Sequence, residues 1–412
     1  MRRPLYGWLT SEALSITGTR VTMIAIPLFV LETTGSPTKT GLVALAEMLP
    51  MVLAKVLGGP VIDRLGARRV AITCDVGSVG AVAAIPLLYD AGLMSFGLLL
   101  ALVAVAGTLR GPGDAAKHAL VPTIVAEAGV PMERVTGLAS TVERTASMLG
   151  AGLAGLLVAA LGAANALLID AASFALSAAV LAWATRPLAA VEVAEAEESD
   201  PAPYAEQLRA GWRFLRGDPV LLGITVMVAL TNLVDAAWAA VLMPVWAVES
   251  GHGAAGLGLV FAVFSGASAV GAVTAAVWAA RLPRYATYLV AFLVCGAPRF
   301  VVMAFDSPAA VIGVIVVAAG FAAGFLNPIL GAVIFERIPA PLVGRVSSLT
   351  TAMCFALLPF GGLAGGILVS AGGLPFAMAV CGAAYFAFTM LPALDPRWRE
   401  MDRRPEPAGA TM

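Results

Sequence analysis

Long apolar runs recur along this 412-residue chain, and they constrain its fold more than any single motif does. Each run supplies about 20 apolar residues, the length that an α-helix needs to cross the hydrocarbon core of a bilayer. Hydrophobic residues make up 60% of the chain and charged residues only 12%, against about 25% charged in a soluble domain. Strands of a membrane barrel alternate apolar and polar residues, whereas these runs are continuous. The sequence therefore predicts an all-α integral membrane protein with twelve transmembrane helices.

The predicted spans are joined by short polar connections, except between the sixth and the seventh. In order, they are roughly Tyr6–Leu31, Thr40–Ile62, Val70–Tyr89, Ser95–Lys117, Thr136–Leu161, Ala164–Thr185, Val220–Val248, Ala254–Ala280, Tyr285–Phe305, Pro308–Phe335, Val346–Ala371 and Leu374–Leu394. The long connection divides the chain into an N-terminal six-helix half (1–185), a cytoplasmic linker (186–219), a C-terminal six-helix half (220–395) and a cytoplasmic tail (396–412).

Part of the linker has the pattern of an amphipathic helix. Over Pro203–Arg216, Leu208, Trp212 and Leu215 recur at helical spacing among charged residues, several of them basic. Such a helix either lies on the cytoplasmic membrane surface or forms a solvated connection between the two halves.

The distribution of basic residues predicts which way the chain crosses the membrane. The stretch Gly59–Arg69, G-P-V-I-D-R-L-G-A-R-R, is a short basic loop between spans two and three. Most of the 25 Lys and Arg residues, Lys117 among them, fall on the side of this loop, whereas Lys39 falls on the other side. Because basic loops stay in the cytoplasm during insertion, we expect both termini and the linker to be cytoplasmic.

Several functional classes are disfavoured by the composition. The net charge of −1 argues against a nucleic-acid partner. The four cysteines and two histidines are isolated from one another, so we expect neither a metal site nor a disulfide. No nucleophile and base occur in a recognisable pattern, so an enzyme is not expected.

The basic loop resembles the loop 2–3 motif of the major facilitator superfamily, G-x-x-x-D-R-x-G-x-R-R. The matching residues are Gly59, Asp63, Arg64, Gly66, Arg68 and Arg69, with Ala67 added before the arginine pair. Three further stretches, Ile169–Ser177, Gln207–Pro219 and Ile338–Leu349, are similar to the bacterial efflux branch that includes macrolide and enterobactin exporters. The resemblance implies two six-helix halves that rock about a central site in the bacterial plasma membrane.

The resemblance also implies roles for particular residues. Arg110 occupies the place of an arginine that many proton-coupled members carry, and Gly150–Gly155 loosely resembles the antiporter motif, with Gly-Ala in place of its usual Gly-Pro. Asp63, Arg68 and Asp114 would form a charge relay that latches the cytoplasmic side. Asp63 would then face the positive N-terminus of span eleven.

Four charged residues of the first two spans lie at matching heights above the cytoplasmic end. At 1.5 Å per residue, Glu12 and Lys55 lie at about 9–10 Å, and Arg20 and Glu47 at about 21–22 Å. We therefore predict two ion-pair rungs, Glu12–Lys55 and Arg20–Glu47. These rungs either hold the N-terminal half together, or Glu12 or Glu47 exchanges a proton when substrate enters.

The second half offers fewer polar residues within its spans. Asn232 and Asp235 lie in the middle of span seven, and Asn327 lies in the middle of span ten. Asp235 is either a lone titrating carboxylate or the partner of Arg299 in span nine. Trp238, with other aromatic residues and methionines, either lines an apolar cavity or belongs to the core.

These observations predict a secondary active transporter that exports hydrophobic or amphiphilic small molecules, such as a drug, a siderophore or a secondary metabolite. We expect a monomer with no cofactor, driven by the proton gradient, whose partners are its small-molecule substrate and membrane lipids. The alternatives are an importer of a small polar solute, a lipid-translocating protein and a membrane receptor that transports nothing.

Overall fold

The computed structural model describes residues 2–188, 204–278, 281–305, 307–339 and 342–402, and nearly all of them are helical. Eleven segments of this described part are long and apolar enough to cross a membrane. The last of them, Val346–Leu394, has 49 residues, or about 74 Å of helix, more than twice the thickness of a hydrocarbon core. It breaks at Gly373 and so contains two spans, which confirms the predicted twelve.

The spans have the following bounds. Spans 1 to 6 are Arg3–Thr34, Pro37–Leu57, Ala67–Asp90, Phe96–Ala119, Met132–Leu161 and Ala163–Ala184. Span 7 comprises Pro219–Ala237, a π-helical turn Trp238–Leu242 and Met243–Glu249; span 8 is Gly253–Trp278; span 9 comprises Arg284–Cys295 and Ala297–Ala304; span 10 is Ala309–Arg337. Spans 11 and 12 comprise Val343–Ala356 and Leu358–Met390, with the break at Gly373 between them.

Shorter helices lie between and after the spans. They are Gly59–Leu65, Val121–Ala128, Arg186–Leu188, Tyr204–Gly217, Pro392–Leu394 and Pro396–Asp402. We call the end of the spans at which span 1 begins the basic end, because Arg2, Arg3 and the arginines of the 2–3 loop lie there. The opposite end of the spans is called the far end.

The described residues form two compact units. The first comprises the described part of Met1–Asp200 together with Ala237–Ala262 and Pro359–Ala371, so it contains spans 1 to 6 and segments of spans 7, 8 and 11. The second comprises Pro201–Ala236, Val263–Leu358 and Gly372–Met412, where described. The division of the chain at the linker, with its boundaries at 185 and 219, stays a prediction.

Two connections at the far end consist of a single glycine. Gly162 joins spans 5 and 6 with φ 82° and ψ 158°, and Gly373 joins spans 11 and 12 with φ 79° and ψ 175°. This region of backbone conformation is open essentially to glycine alone, because a Cβ atom would clash there. A helix can therefore turn back on itself within one residue at each of these places.

Spans 2 and 4 approach each other closely because two glycines of span 4 face span 2. A Cβ atom at Gly107 would overlap the carbonyl oxygen of Glu47, and one at Gly111 would lie 2.9 Å from the backbone nitrogen of Lys55. Small residues four apart allow helix backbones to come together in a membrane, where dispersion and weak polar contacts drive association. Span 1, in contrast, packs chiefly against spans 5 and 6.

Glycines also bring helices together at the far end of the first unit. A Cβ atom at Gly41 of span 2 would lie 2.8 Å from the carbonyl carbon of Gly362, and one at Gly155 of span 5 would lie 2.8 Å from the Cα atom of Gly258. The Oγ1 atom of Thr38 lies 2.7 Å from the Oγ atom of Ser370. Segments of spans 8 and 11 therefore pack directly on spans 5 and 2.

The predicted linker helix is confirmed as Tyr204–Gly217, while residues 189–203 lie outside the described part of the chain. Leu215 is fully buried against Leu221, Ile338 and Val346, at the basic end of the second unit. Trp212 is half-exposed on the same helix. The side of the helix that carries Leu215 thus packs against the ends of spans 10 and 11.

Asp218 fixes the start of span 7 just after this helix. Its carboxylate accepts hydrogen bonds from the backbone N–H groups of Val220 and Leu221, and it pairs with Arg337 at 2.6 Å. Burial raises the pKa of the Asp218 carboxyl, but the hydrogen bonds from Arg337 and these N–H groups outweigh it and leave the pKa below its usual value.

We expect Gly107→Ala to destabilise the protein by about 1–3 kcal/mol, because the added methyl would push span 2 away from span 4. Gly80→Ala is the matched control, since Gly80 is also within a span and a Cβ there would meet nothing within 4 Å. Thermal unfolding of the detergent-solubilised proteins measures both. Equal melting temperatures for the two variants would contradict the close packing of spans 2 and 4.

Candidate functional site

Arg110 of span 4 joins three spans in the first unit. Its Nη1 atom lies 2.9 Å from Oε1 of Glu47 on span 2, and its Nη2 atom donates a hydrogen bond of 2.6 Å to Oγ1 of Thr19 on span 1. The ring of Phe174 on span 6 lies 6.0 Å from the guanidinium carbon. Both members of the ion pair are largely buried, and in such surroundings an ionised group needs a partner.

The two predicted rungs between spans 1 and 2 are wrong. Glu47 pairs with Arg110, and the Nη2 atom of Arg20 instead donates a hydrogen bond of 2.8 Å to Oγ of Ser147 on span 5. Lys55 is exposed and makes no ion pair with another described residue. The prediction assumed that consecutive spans are nearest neighbours, whereas the glycines of span 4 place span 4 beside span 2.

A second buried ion pair lies near the basic end of the first unit. Lys117 of span 4, whose side chain is only 1% exposed, lies 3.0 Å from Oδ2 of Asp75 on span 3. Ser177 of span 6 donates a hydrogen bond of 2.7 Å to the same carboxylate oxygen and lies 2.7 Å from the hydroxyl of Ser11. Lys117 is therefore a buried member of a four-span cluster near the basic end of span 4.

Glu12 lies beside this cluster. Its charged neighbours are Lys117, Asp114, Asp75 and Glu143. Its Oε1 atom is buried and accepts no hydrogen bond from a described residue. Glu12 is therefore a buried carboxylate whose neighbours are mostly other acids, and a proton bound there would relieve their repulsion.

Asp170 of span 6 was not among the predicted site residues. It is fully buried, and it accepts hydrogen bonds from the hydroxyls of Thr22 and Ser173. Span 1 comes close to span 6 at this level because a Cβ atom at Gly18 would meet Ser173. The sequence signal was present as a lone Asp inside an apolar run, but it was used only as part of a family resemblance.

In the second unit, Asp235 of span 7 pairs with Arg299 of span 9, so it is not a lone carboxylate. The Arg299 side chain is 6% exposed and lies 4.9 Å and 5.1 Å from the ring centroids of Phe300 and Tyr385. The Asp235 side chain is 41% exposed. One turn earlier, Nδ2 of Asn232 donates a hydrogen bond of 2.9 Å to the carbonyl oxygen of Cys354.

The two other predicted residues of the second half differ in their surroundings. Asn327 is exposed and makes no side-chain hydrogen bond with another described residue. Trp238 is buried and opens the π-helical turn of span 7, and Met243 and Trp246 beyond it are buried too. These three side chains belong to the core, which was the second alternative for them. Pro244 follows this turn and has no N–H for a regular helical bond, which accounts for the irregularity.

The 2–3 loop motif is built around Gly66, which has φ 83° and separates the helix Gly59–Leu65 from span 3. Arg68 donates hydrogen bonds of 2.9 Å to Oγ1 of Thr185 and to the carbonyl oxygen of Ala182, and so caps the basic end of span 6. Asp63, Arg64 and Arg69 are exposed.

The resemblance implies a charge relay of Asp63, Arg68 and Asp114. Neither acid makes an ion pair with another described residue. The role of the three residues as a latch stays a prediction.

The geometry defines a polytopic helical membrane protein in which buried ion pairs join separate spans, an arrangement typical of transporters. No group of three metal-binding side chains occurs among the described residues.

The chain belongs to the Major Facilitator Superfamily, whose family model matches residues 9–358. It is therefore a multi-pass membrane transporter.

Two named relatives are similar over nearly the whole chain. The multidrug efflux pump Tap of Mycobacterium tuberculosis is 29% identical over 408 residues, which cover 98% of this chain and 96% of that protein. Tap of Mycolicibacterium fortuitum is 28% identical over 414 residues, which cover 98% and 97%.

Solved structures show the same fold. The nucleoside transporter NupG has a TM-score of 0.75 at 14% identity and covers 98% of this chain and 100% of its own. A bacterial homologue of the iron transporter ferroportin, solved in its inward-facing state, has a TM-score of 0.70 at 15% identity and covers 98% and 99%.

We expect Lys117→Met to destabilise the protein by about 3–5 kcal/mol, because it leaves the buried Asp75 carboxylate without its partner. The double variant Asp75→Asn with Lys117→Met removes both charges and should recover most of that loss. Thermal unfolding in detergent measures this recovery. A double variant no more stable than Lys117→Met would show that the ion pair is not what stabilises the cluster.

Proposed function

We propose that this protein is a proton-coupled exporter of hydrophobic or amphiphilic small molecules that works by alternating access. Its membership of the Major Facilitator Superfamily gives the transport class, and its similarity to two multidrug efflux pumps over 98% of the chain supports export. The substrate is then a drug-like or metabolite molecule, taken up from the cytoplasm or from the inner leaflet.

The ion pair of Asp235 and Arg299 is the observation that carries the proton coupling. The arginine is buried against two aromatic rings, whereas the carboxylate is nearly half exposed. We infer that a proton reaches Asp235 by an aqueous route while its counterion stays fixed. Protonation cancels the negative charge and releases the contact, and deprotonation restores it.

This switch supplies the coupling that an exporter needs. In the protonated state Arg299 keeps a buried charge without its carboxylate partner, which is costly, so the two states of the site favour different arrangements of spans 7 and 9. Cargo that binds better to one arrangement then exchanges for the proton. Glu12, with its unpartnered buried oxygen, is a second proton site in the first unit.

The packing at the far end of the first unit supports a resting state in which the protein is closed at that end. Gly41, Gly155, Gly258 and Gly362 let segments of spans 8 and 11 pack directly on spans 5 and 2. With the basic end in the cytoplasm, as the positive charge of its loops predicts, this closed end faces the outside. We further propose that the protein is a monomer of the bacterial plasma membrane, with both termini in the cytoplasm.

We expect Asp235→Asn to abolish transport driven by a pH gradient and to leave the fold intact, because the amide oxygen can still accept a hydrogen bond from Arg299. Proteoliposomes with an imposed pH gradient and ethidium as the transported dye measure this. A loss of at least tenfold in the initial rate is expected in protein that still folds, with a lowered melting temperature because buried Arg299 loses its charged partner. The tenfold loss corresponds to about 1.4 kcal/mol.

Glu336→Gln is the matched control, because Glu336 also forms an ion pair, at 2.6 Å with Arg284, but lies at the basic end. Its gradient-driven transport should equal that of the wild type. Undiminished gradient-driven transport by Asp235→Asn would refute the role of this aspartate. Export that persists in cells treated with an uncoupler would refute proton coupling altogether.

A further inference from the structure

The far end of the first unit holds a cavity of about 680 Å³ that the transport mechanism does not use. It is lined by the far ends of spans 1, 3, 4, 5 and 6 and by their connections. The single-residue turn at Gly162, which connects spans 5 and 6, is part of the lining. All the lining residues belong to one six-helix half, so rocking of the halves against each other does not dismantle the cavity.

The side chains around the cavity combine one carboxylate with several aromatic rings. Phe29 and Tyr89 pack edge to face, with ring centroids 4.9 Å apart, and Phe96 lines another wall. Leu99 is buried and also lines the cavity. Glu32, one turn after Phe29 on span 1, is the one charged residue of the lining.

Glu32 is available to a ligand. It makes no ion pair and no side-chain hydrogen bond with another described residue, so the protein itself leaves its charge uncompensated. Outside the lining, Nζ of Lys39 lies 5.3 Å from the ring centroid of Phe96, so this ring already attracts one ammonium group of the protein itself. An acid next to aromatic faces is the arrangement that recognises an ammonium ion attached to an apolar body.

We propose that this cavity is a second binding site, separate from the transport route, for amphiphiles that carry an ammonium group and arrive from outside the cell. Glu32 binds the cation, Phe29, Tyr89 and Phe96 contact its methyl or methylene groups, and Leu99 receives the apolar end. Asn165 and the hydroxyls of Thr33 and Thr34 provide polar contacts at the mouth. The ammonium comes either from a free organic cation or from the headgroup of an outer-leaflet lipid.

The test uses the full-length protein in vesicles of phosphatidylglycerol and a membrane-impermeant benzyltrimethylammonium that carries a photoreactive diazirine. Peptide mapping should place the crosslinks on Phe29, Tyr89 or Phe96. A neutral analogue with a tert-butyl group in place of trimethylammonium has the same shape and should label these residues several times less. Equal labelling by the two compounds would overturn the proposal.

Variants of Glu32 test the carboxylate directly. We expect Glu32→Gln to weaken binding about fivefold, as for the loss of one accessible ion pair, and Glu32→Lys to abolish labelling. Glu249→Gln is the matched control, because Glu249 is an exposed carboxylate at the far end that does not line the cavity, and its labelling should be unchanged. Full labelling of Glu32→Gln would overturn the assignment.

Two further experiments follow. One distinguishes the two possible sources of the ammonium group, and the other tests whether the site is independent of the proposed transport function. If phosphatidylethanolamine added to the vesicles competes with the label, a lipid headgroup is the natural occupant; if it does not, a free cation is. Asp235→Asn should still be labelled at wild-type level, because the cavity does not depend on proton coupling. Loss of labelling in Asp235→Asn would refute the independence of the two sites.

Discussion

The close approach of spans 2 and 4 is the contact on which the charge arrangement of the first unit depends. Two glycines remove the side chains that would otherwise hold these helices apart. Arg110 on span 4 can then reach Glu47 on span 2 and Thr19 on span 1. In hydrocarbon an ionised side chain must find a partner, so the glycines decide which acid pairs with which base.

The two units place their charges differently. In the first, carboxylates and bases are buried in clusters that cross four spans, and Glu12 remains among other acids. In the second, the pair formed by Asp235 and Arg299 combines a buried arginine with an accessible aspartate. The first arrangement favours stable packing with little exchange of protons. The second favours proton exchange at Asp235 while Arg299 stays in place. The proton-coupled export that we propose needs both, because helices must keep their packing while one group gains and loses a proton.

Most of the fold could be predicted from the sequence, because twelve runs of spanning length allow few other structures in a membrane. The site was less predictable. Glu47 was correctly recognised as a paired residue, but its partner depends on which helices touch, and helical spacing along one chain does not contain that information. The burial of Lys117 and its pairing with Asp75 were not predicted, because a lysine at the end of a run resembles a residue exposed at the membrane surface. Asp235 and Arg299 were recognised as a possible pair because few other charges occur in those spans.

Gly162 and Gly373 carry a further consequence. They lie at the same place in their respective halves, between the fifth and sixth and between the eleventh and twelfth spans, and their dihedral angles agree within about 20°. The residues around them, Leu161 and Ala163 in one case and Gly372 and Leu374 in the other, have little in common. The same backbone torsion thus makes the same turn in two places where the neighbouring side chains differ.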